Sequence, residues 1–240
     1  SPLSAEQFGL FTYSVHGDTV AITDYPEDAT GEVVIPSEID GKTVTSINSY
    51  AFSGCSSLTS ITIPNSPTAI DWNAFQGCTG LTSIHVDEDN PRYSSLEGVL
   101  FDKDRTTVFQ YPLGKGATSY AIPEGVTRIG DDAFSGCTKL TSVLIPSTVT
   151  SIDTTPPPFD DCTKLTSIEV DPQNPIYSSQ HGVLYAWQPG YFLGPQGPYR
   201  PLVLIRCPEG KSGAFLVPDG VGSIGTISSN AISAPSNHTH

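Results

Sequence analysis

The sequence predicts a solenoid, rich in β-structure, with short 3₁₀-like turns, little α-helix and β-hairpins set into the stack. Three observations point there. A block of about two dozen residues recurs, spelled most completely as Ile47…Ala51-Phe52…Gly54-Cys55…Leu58…Ile61…Ile63 and repeated over Ile70…Val86, Ile129…Ile145 and, less regularly, Ile152…Val170. A β-branched residue closed by proline ends one coil after another, at Ile35-Pro36, Ile63-Pro64, Ile122-Pro123, Ile145-Pro146 and Val217-Pro218. A longer motif beginning at Val86 returns at Val170. A block this short cannot enclose its own apolar side chains, so successive copies must stack and share one elongated core.

The elements follow in order. Phe11–Val15 and Thr19–Thr23 alternate about the turn-forming triplet His16-Gly17-Asp18, which predicts an N-terminal hairpin cap over residues 1–30. Within a repeat, Leu-Thr-Ser-Ile-x-Ile alternates apolar and polar residues, the period of a half-buried strand, with Leu58, Ile61 and Ile63 inward. Proline ends that strand because it has no N–H to donate. Ala-Phe-x-Gly-Cys is too short for a stable helix and carries glycine at its bend, so it reads as a tight turn with Phe52, Phe75, Phe134 and Phe159 stacked beneath it. Cys55, Cys78, Cys137 and Cys162 share one slot of the repeat and are expected inside as small apolar fillers, with disulfide and metal roles the lesser alternatives. Cys207, before Pro208, fits no slot.

The longer motif runs Val86-Asp87-Glu88-Asp89-Asn90-Pro91-Arg92-Tyr93-Ser94-Ser95…Gly98-Val99-Leu100-Phe101 and again Val170-Asp171-Pro172-Gln173-Asn174-Pro175-Ile176-Tyr177-Ser178-Ser179…Gly182-Val183-Leu184-Tyr185. Each copy is expected to insert a hairpin, over residues 87–112 and 171–208, and the nesting of two periods implies duplication of a larger unit. The solenoid is expected to span residues 1–225 as a single domain, with 226–240 a degenerate cap or tail.

Two departures break the pattern. The fourth repeat carries Asp153-Thr154-Thr155-Pro156-Pro157-Pro158-Phe159, longer than its siblings, so its turn must bulge outward. The second hairpin is enlarged by a segment that holds Trp187, Tyr191, Phe192, Tyr199 and Arg200. Those residue types are enriched at binding hot spots, and insertions in repeat proteins often lie on the binding face; the alternative is that the aromatics fold back to cover the end of the core. Outward strand positions add a second candidate, the varied column Thr62, His85, Leu144 and Glu169 beside two uniform columns of Thr and Ser that β-propensity alone explains.

Composition narrows the function. Eleven basic against 25 acidic residues give a net charge of −14, which repels phosphate backbones and anionic lipid, so neither nucleic acid nor membrane insertion is expected. No stretch approaches the roughly 20 apolar residues of a membrane span, and a chain that opens at Ser1 without a basic-plus-apolar leader reads as a processed or trimmed soluble product. His85 and His181 have no Cys, Asp or Glu at ligand or triad spacing; there is no Gly-x-Ser-x-Gly elbow and no phosphate-cradling glycine loop before a helix. Asp87-Glu88-Asp89 lacks the loop of a calcium site and reads as a solvated turn. No enzyme activity, metal or cofactor is expected.

Ile-x-x-x-Ala-Phe-x-Gly-Cys-x-x-Leu-x-x-Ile-x-Ile-Pro, together with the inserted Asn-Pro-x-Tyr-Ser-Ser segment, resembles the leucine-rich repeat of the BspA-like family. The resemblance covers roughly residues 10–225. It implies a right-handed leucine-rich-repeat solenoid of a secreted or cell-surface protein, extracellular, of bacteria or some parasitic protists, associated with adhesion and protein binding. It carries over no catalytic residue, because the family motif consists of core positions. The expected function is binding of a protein or glycan ligand; the rival expectation is a structural spacer or stalk in a larger surface protein, with no ligand of its own.

Overall fold

The computed structural model describes residues 6–67, 69–187, 192–194, 197–199, 202–206, 208–211 and 221–224, and these contain strands and turns with no helix. Each coil runs along one strand, bends through a turn, spelled Ala-Phe-x-Gly-Cys in coils one, two and three, and continues along a second strand. The short strands stack in parallel as Thr19–Asp24, Lys42–Ile47 and Ala69–Ile70, aligning Ile22, Ile47 and Ile70, and again as Thr107–Gln110, Arg128–Ile129 and Ser151–Ile152, aligning Val108, Ile129 and Ile152. The long strands do the same in two runs: Thr30–Val34, Ser57–Ile63 and Ser83–Val86 align Val33, Ile61 and Ile84, and Ser119–Ala121, Ser142–Ile145 and Ser167–Val170 align Tyr120, Val143 and Ile168. Six coils result. Four are the expected repeats, which we call coils one to four. The N-terminal hairpin feeds directly into the stack, where Thr19–Asp24 is the first of the parallel strands. Residues 107–121 form a further middle coil between coils two and three.

The turn geometry explains why no helix forms. The Ala51, Ser53 and Cys55 amides donate to the carbonyls of Asn48, Tyr50 and Phe52 at 3.1, 2.9 and 3.2 Å, while the intervening Phe52 and Gly54 amides donate to Ala74 and Gln76 of the next coil, both at 2.9 Å. A continuous 3₁₀ helix needs every amide; here every second one is claimed by the neighbour, so the segment stays a string of isolated turns. Gly54 sits at φ +75°, where a side chain would be strained.

Stacking builds the core. Ring centroids of Tyr25 and Phe52 lie 5.2 Å apart, Phe52 and Phe75 5.7 Å, Tyr111 and Phe134 5.4 Å, and Phe134 and Phe159 5.2 Å, so Tyr25 and Tyr111 occupy the phenylalanine slot of the first and middle coils. The four repeat cysteines are buried free thiols; Cys78 and Cys162 donate to Phe52 O and Phe134 O of the preceding coil, each at 3.0 Å. Burial, the main cause, pushes the Cys55 thiol up to about 11 and those of Cys78 and Cys162 to about 12. Cys207 lies outside the described residues. In coil four the lengthened turn places Thr154 and Thr155 at the surface, while the Pro158 carbonyl still accepts from Phe134 N at 2.9 Å, in the role Ala74 plays for Phe52.

The inserted motif proves to be a cap for the parallel runs. Asn90 is fully buried: its Nδ2 donates to Pro64 O and Pro67 O at 2.8 and 3.1 Å, and its Oδ1 accepts from the Arg92 and Tyr93 amides, both at 2.9 Å. This holds Tyr93 so that its hydroxyl accepts from Ile70 N at 2.9 Å, and Ser95 Oγ accepts from Val86 N at 3.1 Å. Both amides belong to the last strand of a run, where an open edge would otherwise invite pairing. Asn174, Tyr177 and Ser179 repeat these contacts at Ile152 and Val170. The hairpin Tyr93–Leu96 with Val99–Asp102 then passes the chain on: Leu100 packs in the first core cluster, Val99 and Phe101 in the second. The second hairpin pairs Tyr177–Gln180 with Val183–Trp187, which pairs in turn with Leu202–Arg206.

Candidate functional site

The residues singled out in the sequence fall in two places. Trp187 is half-buried at the end of its hairpin strand, and its amide donates to Ile176 O at 2.8 Å. Phe192 pairs in register with Tyr199 in the two-stranded ribbon Phe192–Gly194 with Gly197–Tyr199, and Tyr191 and Arg200 lie outside the described residues. The varied column does not run unbroken. Thr62 pairs with His85 in one long-strand run and Leu144 with Glu169 in the other, and between the runs sits the first hairpin, whose Gly98 carbonyl accepts from Ile84 N at 2.8 Å. Thr62 is half-buried, His85 and Leu144 are exposed, and Glu169 accepts hydrogen bonds from Ser167 Oγ and, at 3.2 Å, from Ser179 Oγ. The Asp87 carboxylate accepts from Asp89 N at 2.9 Å in an exposed turn.

A different site emerges from a shortage of residues. In coils one, two and three the chain places Ile47 before Phe52, Ile70 before Phe75 and Ile129 before Phe134, with four residues between them each time; the middle coil goes from Val108 to Tyr111 with only Phe109 and Gln110 between. Both its ends are nonetheless in register, Val108 with Ile129 and Tyr111 against Phe134. The corner of the middle coil is therefore cut short, and the corners of coils two and three stand proud on either side. The crease between them holds two grooves of about 270 Å³ each. Trp72, 39% exposed, borders both.

The first groove is walled by Trp72, Asn73 and Gln76 of coil two and by Asp132, Ser135 and Thr138 of coil three, with Gln110 and Leu113 of the middle coil between them and Asp161 beyond. Leu113 is held by close backbone approach: the Gly114 amide donates to Leu81 O at 2.7 Å, and a Cβ on Gly114 would fall 2.4 Å from the Gly80 carbonyl carbon. Asn73 is only 5% exposed and its Oδ1 has no hydrogen-bond partner. The second groove runs over Asp71, Phe109, Arg128, Asp131 and Asp153. Asp71 caps the corner of coil one, accepting from the Ser49 amide and hydroxyl at 2.7 Å each, and Arg128 Nη2 meets Asp153 Oδ2 at 2.6 Å.

The electrostatics are one-sided. Burial raises the Asp131 carboxyl above the ordinary carboxylate value, with the Asp153 charge adding to it; burial also raises Asp132, with Asp160, Asp131 and Asp161 adding and a hydrogen bond with Ser135 opposing. The first groove has no basic residue among its lining residues, and the second has Arg128, already engaged. Such a surface can receive hydrogen-bond donors and cations and can stack an apolar or cationic group on an indole. Among the described residues no three His, Cys, Asp or Glu are grouped to hold a metal ion, and no helix is long and apolar enough to cross a membrane.

Sequence reasoning looked to insertions and missed this site. The signal was present: Tyr111 precedes Phe134 by the same spacing that separates Phe52 from Phe75.

Stacked coils, an aromatic column and a polar cap motif define a leucine-rich-repeat solenoid. The chain belongs to the BspA type leucine rich repeat region family, whose model matches residues 32–103 and 105–181 in six copies. It is similar to a leucine rich cell surface protein from Faecalibacterium prausnitzii A2-165 at 23% identity and TM-score 0.46, over 92% of this chain and 66% of that one. A leucine-rich repeat protein from Eubacterium ventriosum is 24% identical, TM-score 0.45, over 58% of this chain and 42% of that one. The T. pallidum leucine rich repeat protein is 30% identical, TM-score 0.43, over 69% and 71%. This chain thus spans about two thirds or less of the first two. No curated protein matches it.

Proposed function

We propose that the chain is a non-enzymatic binding module of a secreted or surface-exposed bacterial protein, taking a protein or glycan ligand in adhesion. The observation that carries this reading is Trp72, a large amphipathic ring left 39% exposed in a crease of an otherwise regular wall. A spacer whose purpose is stiffness gains nothing from such a residue, since indole at the surface adds no stacking between coils and is the kind of side chain that anchors interfaces. The surface assignment is drawn from the family. The test is a glycan-array and surface-protein binding screen on the full chain, on Trp72→Ala, and on a version lacking residues 188–199. Binding lost in the first variant supports the crease; binding lost in the second places recognition on the enlarged hairpin. Equal, negligible binding by all three removes the binding reading in favour of the spacer.

A further inference from the structure

The duplication inside the chain offers a control for the crease. The first hairpin unit leads into Gln110-Tyr111-Pro112, and the second into Arg206-Cys207-Pro208; Leu100 pairs with Gln110 and Leu184 with Arg206, so Gln110 and Arg206 occupy the same position of the duplicated unit. In the second copy that position is filled from within. Arg206 is 5% exposed, and its guanidinium donates to Asp160 Oδ1, to Phe159 O at 2.9 Å and to Glu209 Oε1 at 2.9 Å. In the first copy the corresponding side chain is the neutral Gln110, whose Nε2 turns away to Tyr111 O at 2.9 Å.

The first copy lacks both that cation and its acidic partners, since Gln76 and Leu113 stand where Asp160 and Glu209 do, but acids of the following coils line the opening instead. Asp132 and Asp161 line the groove with no basic residue among its walls, Asn73 brings a buried carboxamide whose Oδ1 is unbonded, and Trp72 offers an exposed ring face at the rim. Resting on the binding role argued above, we propose that this groove receives a basic side chain, an arginine or lysine presented by a peptide or protein partner. The aliphatic stem would lie along Leu113 and the Trp72 ring, and the charged head would reach the carboxylates of Asp132 and Asp161, a pairing of aromatic face and anion that a planar guanidinium matches especially well. The raised carboxyl of Asp132 agrees with this, because a bound cation offsets the repulsion from Asp160, Asp131 and Asp161 that adds to burial in raising it. The net charge of −14 adds long-range attraction for a basic partner.

The experiment titrates the full chain with a tetra-arginine peptide at low salt, followed by calorimetry and Trp fluorescence, with a tetra-glutamate peptide and a neutral chito-oligosaccharide as comparison probes. The expected result is arginine-peptide binding that weakens about tenfold in Trp72→Ala, weakens again in Asp132→Asn with Asp161→Asn, and is unchanged by Asp87→Asn on the exposed turn. Gln110→Arg, which puts a competing cation in the wall of the groove, should abolish it; circular dichroism checks that this variant folds, and the surface variants decide the matter if it does not. Arginine peptide bound equally by the wild type, Trp72→Ala and Asp132→Asn would reduce the effect to diffuse charge attraction and overturn the proposal. Binding of the neutral oligosaccharide with loss of affinity in Trp72→Ala, and none of the arginine peptide, would also overturn it while leaving the binding-module reading intact. No binding of any probe, alongside a negative screen, would remove both.

Discussion

Replacing Asn90 by alanine should strip the first cap motif of its anchor. Four hydrogen bonds vanish together: two donated by Nδ2 to Pro64 O and Pro67 O, and two accepted by Oδ1 from the Arg92 and Tyr93 amides. The bonds to Pro67 O and from Tyr93 N are buried, so each leaves an orphaned backbone group at about 1–3 kcal/mol; the two part-buried ones, where water can substitute, add about 0.5–1 kcal/mol each. The total is about 3–8 kcal/mol, a large share of the roughly 5–15 kcal/mol by which domains are usually stable. Equilibrium urea unfolding measures it, provided the slope against denaturant is unchanged. A repeat protein can lose cooperativity locally, so amide exchange supplies a second reading: Ile70 N, which donates to the Tyr93 hydroxyl, and Val86 N, which donates to Ser95 Oγ, should lose protection selectively. A loss below about 1 kcal/mol with exchange at Ile70 unaltered would refute the view that this motif caps the strands.

Other perturbations follow from the same geometry. Gly98→Val should cost about 2–4 kcal/mol, because Gly98 is at φ +79° and a Cβ there would lie 2.8 Å from Ser83 Cβ; thermal denaturation checks it. Cys55, Cys78, Cys137 and Cys162 should resist alkylation in the native protein at pH 8 and react only on unfolding, since burial holds their thiols protonated; peptide mapping by mass spectrometry reads this. Asp132 has a folded-state carboxyl raised above 3.8, so between 3.8 and that higher value the folded state binds more protons, stability falls as pH rises through the window, and the penalty persists above it. Asp132→Asn should therefore be more stable than the wild type at pH 7, by no more than about 1 kcal/mol for a partly exposed group, with the difference gone below about pH 4. Melting curves at the two pH values decide, and a variant less stable at pH 7 contradicts the sign.

How much of this could be read in advance depended on whether a residue repeats. The phenylalanine and cysteine columns, the inward Leu and Ile positions and the proline stops were all legible, because stacking forces equivalent slots into equivalent environments. The cap role of Asn90 and Asn174 was not, although the motif itself was plain: a hydrogen-bonding partner such as Pro67 O or Ile70 N lies on another coil and leaves no mark in the motif's own spacing. The column Thr62, His85, Leu144 and Glu169 was read as continuous because a one-dimensional alignment has no place for a hairpin turn that sits between two of its members. The middle coil was half-seen, marked by Ile122-Pro123 but without an Ala-Phe-x-Gly-Cys turn to align.

That last gap bears on how a solenoid comes to have a site at all. A regular stack offers every ligand the same wall many times over, which favours weak contacts without register. Specificity requires one place unlike the rest, and addition is the obvious route, as in the enlarged second hairpin. The middle coil takes the opposite route. Its ends remain fixed by Val108 against Ile129 and Tyr111 against Phe134, so the missing residues cannot be absorbed by sliding the stack and must appear as a hollow at the corner. The hollow then opens what regular packing would have covered, the flank of coil two with Trp72 and the flank of coil three with Asp131 and Asp132. Rigidity comes without further provision, because the walls are the same hydrogen-bonded coils that make the core. In the duplicated unit Arg206 occupies the position of Gln110 and ties the corner to Asp160 and Glu209 from within. One architecture thus carries a corner tied from within and one left open, and the difference between them lies in three side chains, Gln110, Gln76 and Leu113 standing where Arg206, Asp160 and Glu209 stand in the second copy.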